Sequence, residues 1–212
     1  IELGYSSCTI NYIDDKLIDG PGLDRGIVFQ QYVLLPWKTA LGNVEFVLND
    51  KKKNEKREIA QKYLSLVGLK SFEDRYPYEL SGGMKKRVGI ARAIVLNPQY
   101  LFCDEPNSGL DPQTSLVIDK LIQGITVEKN ITTVVVTHDM NSLMEIGDLI
   151  LFLHKGKKEW EGNKDILATA KNKNLLDFVY SSELFKQLRE FMLENDQTSL
   201  THNSNNTEKK EK

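Results

Sequence analysis

The chain has 212 residues, of which 40% are hydrophobic and 27% are charged, as in an ordinary globular protein. Its net charge of -2 gives no sign of a bulk nucleic-acid-binding or membrane-surface protein. No apolar run is long enough to cross a bilayer, and two cysteines are too few for a disulfide framework. The length fits one domain with a sizeable core.

The first half of the chain combines short extended segments with helical patterns. Residues 1–19 alternate apolar and polar side chains, which is typical of strand and turn, and 26–30 is a short apolar strand that ends in Gln30. A short helix is predicted at 40–44, and apolar spacing predicts a longer one over 54–67. A further helix, ended by Pro98, has four apolar residues at helical spacing: Met84, Val88, Ala91 and Val95.

The second half favours an α/β fold. Residues 99–103 and 131–137 are apolar and β-branched runs typical of buried parallel strands. A helix predicted over 113–127 lies between them, and the strand–helix–strand order indicates α/β architecture. Beyond these elements, 149–161 is predicted to form a hairpin that turns at Gly156.

Two segments carry residue types suited to phosphate chemistry. Asp104 and Glu105 end an apolar strand, where carboxylates can handle Mg²⁺ and an attacking water. Ser81-Gly82-Gly83 opens a basic helix and can present backbone N–H groups to a phosphate.

Together these segments resemble the Walker B and signature motifs of the ABC transporter ATPases. The resemblance rests on Leu80-Ser81-Gly82-Gly83-Met84, followed about twenty residues later by Tyr100-Leu101-Phe102-Cys103-Asp104-Glu105-Pro106. The family implies an α/β, P-loop NTPase-like ABC ATPase domain with a mostly parallel sheet and a helical signature subdomain at about 40–95. We expect residues 1–163 to form a partial domain of this kind, 164–194 a C-terminal helical extension and 195–212 a disordered tail.

The resemblance also implies roles for individual residues, with ATP and Mg²⁺ as cofactors. Glu105 takes the role of general base, and His138 that of the switch histidine that contacts the γ-phosphate. Asp104 and the Q-loop residue Gln30 take the metal-binding role. The nucleotide-binding residues are Gln30, Ser81, Gly82, Gly83 and Asp111, the last in a D-loop that also suits a helix cap. Lys85, Lys86 and Arg87 are predicted to form a solvated basic face, whereas Arg92 resembles a structural arginine of this helix.

One expected motif is missing. No G-x-x-x-x-G-K-[ST] phosphate loop, the Walker A motif, occurs in the chain, whose one Gly-Lys pair is Gly156-Lys157. We therefore expect the chain to be a piece of a longer ATPase. The piece itself should be inactive because it lacks that loop. The alternative is a naturally degenerate subunit.

The implied protein is an ATP-hydrolysing subunit that powers a membrane permease, pairs with a second ATPase subunit and binds no nucleic acid. It would reach the cytoplasmic face of the bacterial inner membrane only through the permease. The C-terminal two-thirds of the chain resembles Mla-type lipid-transport ATPases, and Met84-Lys85-Lys86-Arg87 is one segment that carries this resemblance. The resemblance favours a phospholipid substrate. Residues 20–37 look like nitrate, sulfonate and taurine importer ATPases. That alternative stays open, as do a recombinant of two genes and a non-catalytic subunit that lends its signature motif.

Overall fold

The structure is a computed structural model that describes residues 12–18, 20–167 and 169–180. It divides into two compact units, which within the described residues are 12–146 and 147–180. We call them the core unit and the C-terminal unit. The expected boundary at residue 163 stays a prediction. In the described part of the chain, no helix is long and apolar enough to span a bilayer.

The strands and helices follow the order expected of an α/β protein. The strands are β1 (Tyr12–Ile13), β2 (Lys16–Leu17), β3 (Arg25–Val28), β4 (Tyr100–Asp104), β5 (Thr132–Val136), β6 (Ile150–His154) and β7 (Lys157–Gly162). The helices are α1 (Ala40–Glu45), α2 (Lys53–Leu66), α3 (Gly82–Ile94), α4 (Pro112–Lys129), α5 (Met140–Ile146), α6 (Lys164–Leu167) and α7 (Lys173–Val179).

A parallel three-stranded sheet organises the core unit, with β4 between β3 and β5. In its register, Val28 pairs with Cys103, and Asp104 pairs with Val136. The carboxyl ends of all three strands therefore meet at one edge. Each strand is followed there by a residue with a predicted role: Gln30, Glu105 and His138. The predicted α/β class and parallel sheet are confirmed.

Helices α1, α2 and α3 pack against one another in the predicted helical subdomain. Two of the helices that carry the site begin at side-chain caps, because the first N–H groups of a helix have no partner within it. Ser81 caps α3 and Asp111 caps α4. The prediction that Asp111 suits a helix cap is thereby confirmed, and Pro112 occupies the first position of α4.

The C-terminal unit contains the predicted β6–β7 hairpin. Its turn is at Lys155 and Gly156, both with positive φ. Two short helices follow, α6 and α7, and Asn172 caps the second. The helical pattern predicted beyond residue 180, the disordered tail at 195–212 and most of the segment 1–19 lie outside the described residues.

Candidate nucleotide site

A carboxylate and an imidazole meet where β4 and β5 end. The Oε1 atom of Glu105 lies 2.6 Å from the Nδ1 atom of His138. The Glu105 side chain is 18% exposed and that of His138 is 73% exposed. Glu105 accepts a hydrogen bond from the ring, and this bond, together with the negative charge of Glu105, raises the pKa of His138 above its ordinary value. The pair thus combines a largely covered carboxylate with an imidazole that faces solvent.

Backbone geometry places Glu105 outside the regular strand. Its φ of 44° is left-handed, which is uncommon for a residue other than glycine. Its N–H still donates to the carbonyl of Val136, at 2.9 Å. The chain therefore leaves β4 sharply while remaining joined to β5, which brings the carboxylate to His138.

Gln30 reaches the loop that follows Glu105. Its Nε2 atom donates to the hydroxyl of Ser108 at 3.3 Å. Because the nitrogen of the Gln30 amide is used in this way, its Oε1 atom is the one that could bind a metal. Gln30, Glu105 and His138 thus belong to one region of the sheet edge, as expected from the parallel register.

Lys86 is buried, contrary to the prediction of a solvated basic face. It is 1% exposed, and its Nζ atom donates to the carbonyl oxygens of Gln30 at 2.7 Å, Phe29 at 3.1 Å and Glu105 at 3.4 Å. The ammonium group also lies over the ring of Tyr32. Burial lowers the pKa of Lys86, and among the described residues no carboxylate lies within ion-pair distance of it.

The cause of this error is visible in the helix register. The buried face of α3 includes positions 83, 86, 90 and 94, which follow helical spacing. A lysine on that face needs internal acceptors, and the chain ends of β3 and β4 supply them. Arg87 likewise donates to the carbonyls of Val67 and Gly68, so it too departs from the predicted solvated face.

Arg92 belongs to a different part of α3. It donates to the carbonyl of Val33 at 2.9 Å, which fits the structural role expected for it.

The Ser-Gly-Gly turn lies against the start of α4. The Ser81 hydroxyl accepts from the N–H of Met84 at 3.3 Å, so it caps α3. A Cβ atom built on Gly83 would come 2.4 Å from the Cγ2 atom of Thr114, and one built on Gly82 would come 2.9 Å from the hydroxyl of Tyr32. A side chain at either position would therefore have to displace its neighbour, Thr114 at Gly83 and the end of Tyr32 at Gly82.

Asp111 uses its carboxylate locally. Oδ1 accepts from the Thr114 N–H at 3.0 Å, and Oδ2 accepts from the Thr114 hydroxyl at 2.5 Å. These hydrogen bonds lower the pKa of Asp111. Asp111 is therefore joined to Thr114, which contacts Gly83, and not directly to the Glu105–His138 pair.

Asp104 is the exposed last residue of β4. No group of three or more His, Cys, Asp or Glu side chains able to hold a metal occurs among the described residues. Mg²⁺ bound to a nucleotide needs only one or two carboxylates, since phosphates and waters fill the remaining positions. The Asp104 carboxylate and the Gln30 amide oxygen are hard oxygen donors that fit this need.

Comparison with known proteins agrees with this geometry. Residues 11–108 match the model of the ABC transporter family. An uncharacterized ABC transporter ATP-binding protein of Methanocaldococcus jannaschii is 45% identical over 143 residues, which are 66% of this chain and 54% of that protein. The nitrate import ATP-binding protein NrtC of Synechococcus elongatus is 39% identical over 148 residues, 68% of this chain and 22% of that protein.

A solved structure is similar as well. The ATP-binding cassette MJ0796, in a dimeric post-hydrolysis state bound to ADP and phosphate, matches with a TM-score of 0.64 and 35% identity over 72% of each chain. The chain spans about half the length, or less, of the two curated relatives. From its motifs, its parallel sheet and these similarities, the chain belongs to the ATP-binding domains of the ABC transporter family.

Proposed function

We propose that this chain is part of an ATP-hydrolysing subunit that powers transport through a membrane permease. The observation that carries the proposal is the 2.6 Å contact between Glu105 and His138 at the end of the parallel sheet. A carboxylate held at a strand end can orient and deprotonate a water, and an imidazole can donate to a phosphate oxygen. Gln30, bound to Ser108 of the following loop, completes a polar edge suited to MgATP.

Each residue has a role in this proposal. Glu105 is the general base, and His138 contacts the γ-phosphate. Asp104 would hold Mg²⁺, in part through water, and Gln30 would contribute its amide oxygen. Bound Mg²⁺ supplies positive charge against the charge that develops on the phosphates.

The signature turn acts on a second nucleotide. Ser81, Gly82 and Gly83 would contact ATP held by the opposite subunit of a dimer, and Asp111 would belong to the loop that couples the two sites. The dimeric ADP-bound cassette among the similar structures supports this arrangement. Closure of such a dimer would move a permease at the cytoplasmic face of a bacterial inner membrane, because ATP binds the closed state better than the open one.

One of the two relatives favours an importer of small solutes. It is named for nitrate import, and residues 20–37 carry the corresponding resemblance. Neither relative is named for lipid transport. The Mla-type resemblance therefore rests on this sequence alone, and we propose the importer as the better-supported class.

The phosphate loop is the first thing to test. The chain contains neither the lysine nor the Ser/Thr of that loop, so the 212 residues alone should bind ATP poorly. The coding sequence upstream of Ile1 can be read from the source DNA. A G-x-x-x-x-G-K-[ST] there supports the proposal, whereas a start codon at Ile1 contradicts it.

The base is tested by Glu105→Gln in the protein that carries a phosphate loop. We expect the hydrolysis rate to fall by roughly 10²–10⁴-fold, as for loss of a general base, while ATP affinity is retained. The matched control is Glu58→Gln, at an exposed position of α2, which should leave both unchanged. Undiminished phosphate release by the Glu105 variant would show that Glu105 is not the general base.

A non-catalytic subunit that lends its signature motif to a complete partner is the second candidate. The signature turn that it would lend, Ser81-Gly82-Gly83, is present in this chain. Against it, Glu105 and His138 remain in contact, although such a subunit has no use for that pair. Mixing with a partner subunit whose own general base has been replaced distinguishes the two. A catalytic subunit would still hydrolyse ATP at its own site, and Glu105→Gln would abolish that activity, whereas a lending subunit would give no hydrolysis.

A further inference from the structure

A buried polar cluster lies behind the Glu105–His138 pair. It consists of Asn107, Asp119 and Ser142, which are 8%, 3% and 1% exposed. Asn107 belongs to the loop after β4, Asp119 to α4 and Ser142 to α5. Buried polar groups are costly unless hydrogen bonds satisfy them, so their presence together needs an explanation.

The Asn107 amide joins the other two elements. Its Nδ2 atom donates to the Oδ1 atom of Asp119 at 2.7 Å and to the hydroxyl of Ser142 at 2.8 Å. Both N–H groups of one amide are thereby used, one on α4 and one on α5. An amide can donate twice in this way without carrying a charge into the interior.

The cluster continues to the residue beside the switch histidine. The Ser142 hydroxyl donates to Asp139 Oδ2 at 3.2 Å, and Asp139 Oδ1 accepts from the N–H of Asn141 at 2.9 Å. Asp139 directly follows His138. The buried bonds therefore fix the start of α5, from which the His138 loop departs.

Two links consequently join the same pair of segments. One is the solvent-facing contact of Glu105 with His138, and the other is the buried contact of Asn107 with Ser142. The buried link is shielded from water. A hydrogen bond in the protein interior is stronger than one at the surface. An imidazole that is 73% exposed has little else to hold it.

We infer that Asn107, together with Asp119 and Ser142, is a positioning residue that sets the contact between Glu105 and His138. The catalytic meaning of this inference rests on the proposed function, but the contact itself does not. Among the described residues no cation lies within ion-pair distance of Asp119. Its carboxylate accepts from the Asn107 amide and lies beside the Ser142 hydroxyl. An aliphatic residue at position 107 would remove the amide that joins both α4 and α5 to the loop after β4.

The test reads the tautomer of His138 in the 212-residue chain by ¹⁵N NMR. The spectra are recorded above the His138 pKa, which titration of the same signals locates. There the ring is neutral, and a carboxylate acceptor at Nδ1 keeps the proton on that nitrogen. Loss of His138 signals in His138→Gln assigns the ring among the three histidines. We expect the Nδ1–H form to dominate in the unaltered chain and to give way to the Nε2–H form in Asn107→Ala.

Asn43→Ala is the matched control. Asn43 is also fully buried, and its amide donates to the carbonyls of Leu35, Lys38 and Thr39. Its loss should destabilise the chain without changing the His138 tautomer. Ser142→Ala removes one hydroxyl from the cluster and should shift the tautomer in the same direction as Asn107→Ala.

Each outcome decides the inference. A tautomer shift in Asn107→Ala and Ser142→Ala, but not in Asn43→Ala, supports it. An unchanged tautomer in the two cluster variants overturns it, as does an equal shift in all three. If Asn107→Ala does not fold, Ser142→Ala decides alone. ATP hydrolysis that survives Glu105→Gln would contradict the proposed function while leaving this result intact.

Discussion

The Nδ1 atom of His138 lies 2.6 Å from Glu105 Oε1, although 33 positions separate the two residues in the chain. Both follow the carboxyl ends of adjacent parallel strands, β4 and β5. Parallel strands bring such ends to one edge, and ligands of open α/β sheets bind there. The contact between Glu105 and His138 thus results from the order of the strands in the sheet.

This contact predicts a pH dependence. The pKa of His138 is raised by Glu105, so the contact stabilises the fold fully below the unfolded-state pKa of about 6.5. That contribution is lost as the pH rises through the raised folded-state pKa. Because His138 is mostly exposed, the effect should stay under about 1 kcal/mol.

Urea unfolding measures how much the Glu105–His138 contact stabilises the fold at each pH. The difference in free energy of unfolding between the unaltered chain and His138→Gln should be larger at pH 6 than at pH 9. Equal differences at the two pH values would show that the ion pair contributes nothing. NMR titration should also find a lower His138 pKa in Glu105→Gln.

Lys86→Met should destabilise the chain. The substitution keeps the length of the side chain but leaves the carbonyls of Phe29, Gln30 and Glu105 without their shared donor. Unpaired buried acceptors cost about 1–3 kcal/mol. Lys85→Met, on the neighbouring, less buried position, should change the free energy of unfolding by less than about 0.5 kcal/mol. Similar values for both variants would contradict the role given to Lys86.

Gly83→Ala should lower the free energy of unfolding, and a second substitution at Thr114 should restore it. The added Cβ would meet the Cγ2 atom of Thr114 at 2.4 Å, and such overpacking costs about 1–3 kcal/mol. Thr114→Ser removes that methyl group while keeping the hydroxyl that bonds Asp111. The double variant should therefore recover most of the lost stability.

Gly124→Ala serves as the control for Gly83→Ala and for the double variant with Thr114→Ser. Nothing lies within 4 Å of a Cβ atom built on Gly124 in α4, so alanine should stabilise the helix by about 0.5–1 kcal/mol. All variants can be compared by urea unfolding. A double variant no more stable than Gly83→Ala would mean that Thr114 is not the obstacle.

Cys103 should resist alkylation in the folded chain. It is 1% exposed in β4, and burial raises its pKa to about 12. The thiolate is the reactive form, and it is scarce at pH 8 for such a group. Mass spectrometry after iodoacetamide treatment should find Cys103 unmodified under native conditions and modified in urea. Rapid native labelling would place Cys103 outside the core.

The local pattern of the chain was enough to predict most elements of the core unit. Helical spacing within 54–67 gave α2, and the apolar runs at 99–103 and 131–137 gave β4 and β5 within a residue or so. Asp111-Pro112 marked the start of α4. These features depend on interactions between residues close in the chain, so sequence alone carries them.

The motif spacing also predicted the family, which the comparisons confirm. It could not predict the environment of Lys86. Whether a lysine on a helix is solvated depends on what packs against that face, and its acceptors come from two other segments, 56 and 19 positions away.

The cluster of Asn107, Asp119 and Ser142 illustrates the same division. By sequence, each is a polar residue in a loop or helix, and nothing in its own type or spacing indicates that it is buried. Only the packing of α4 and α5 behind the sheet edge buries all three and orients the Asn107 amide between them. The sequence by itself thus determined the elements and the chemical groups at their ends, because those follow from local periodicity and capping. The tertiary structure alone decided which polar groups are buried together, because burial depends on contacts between segments distant in the chain.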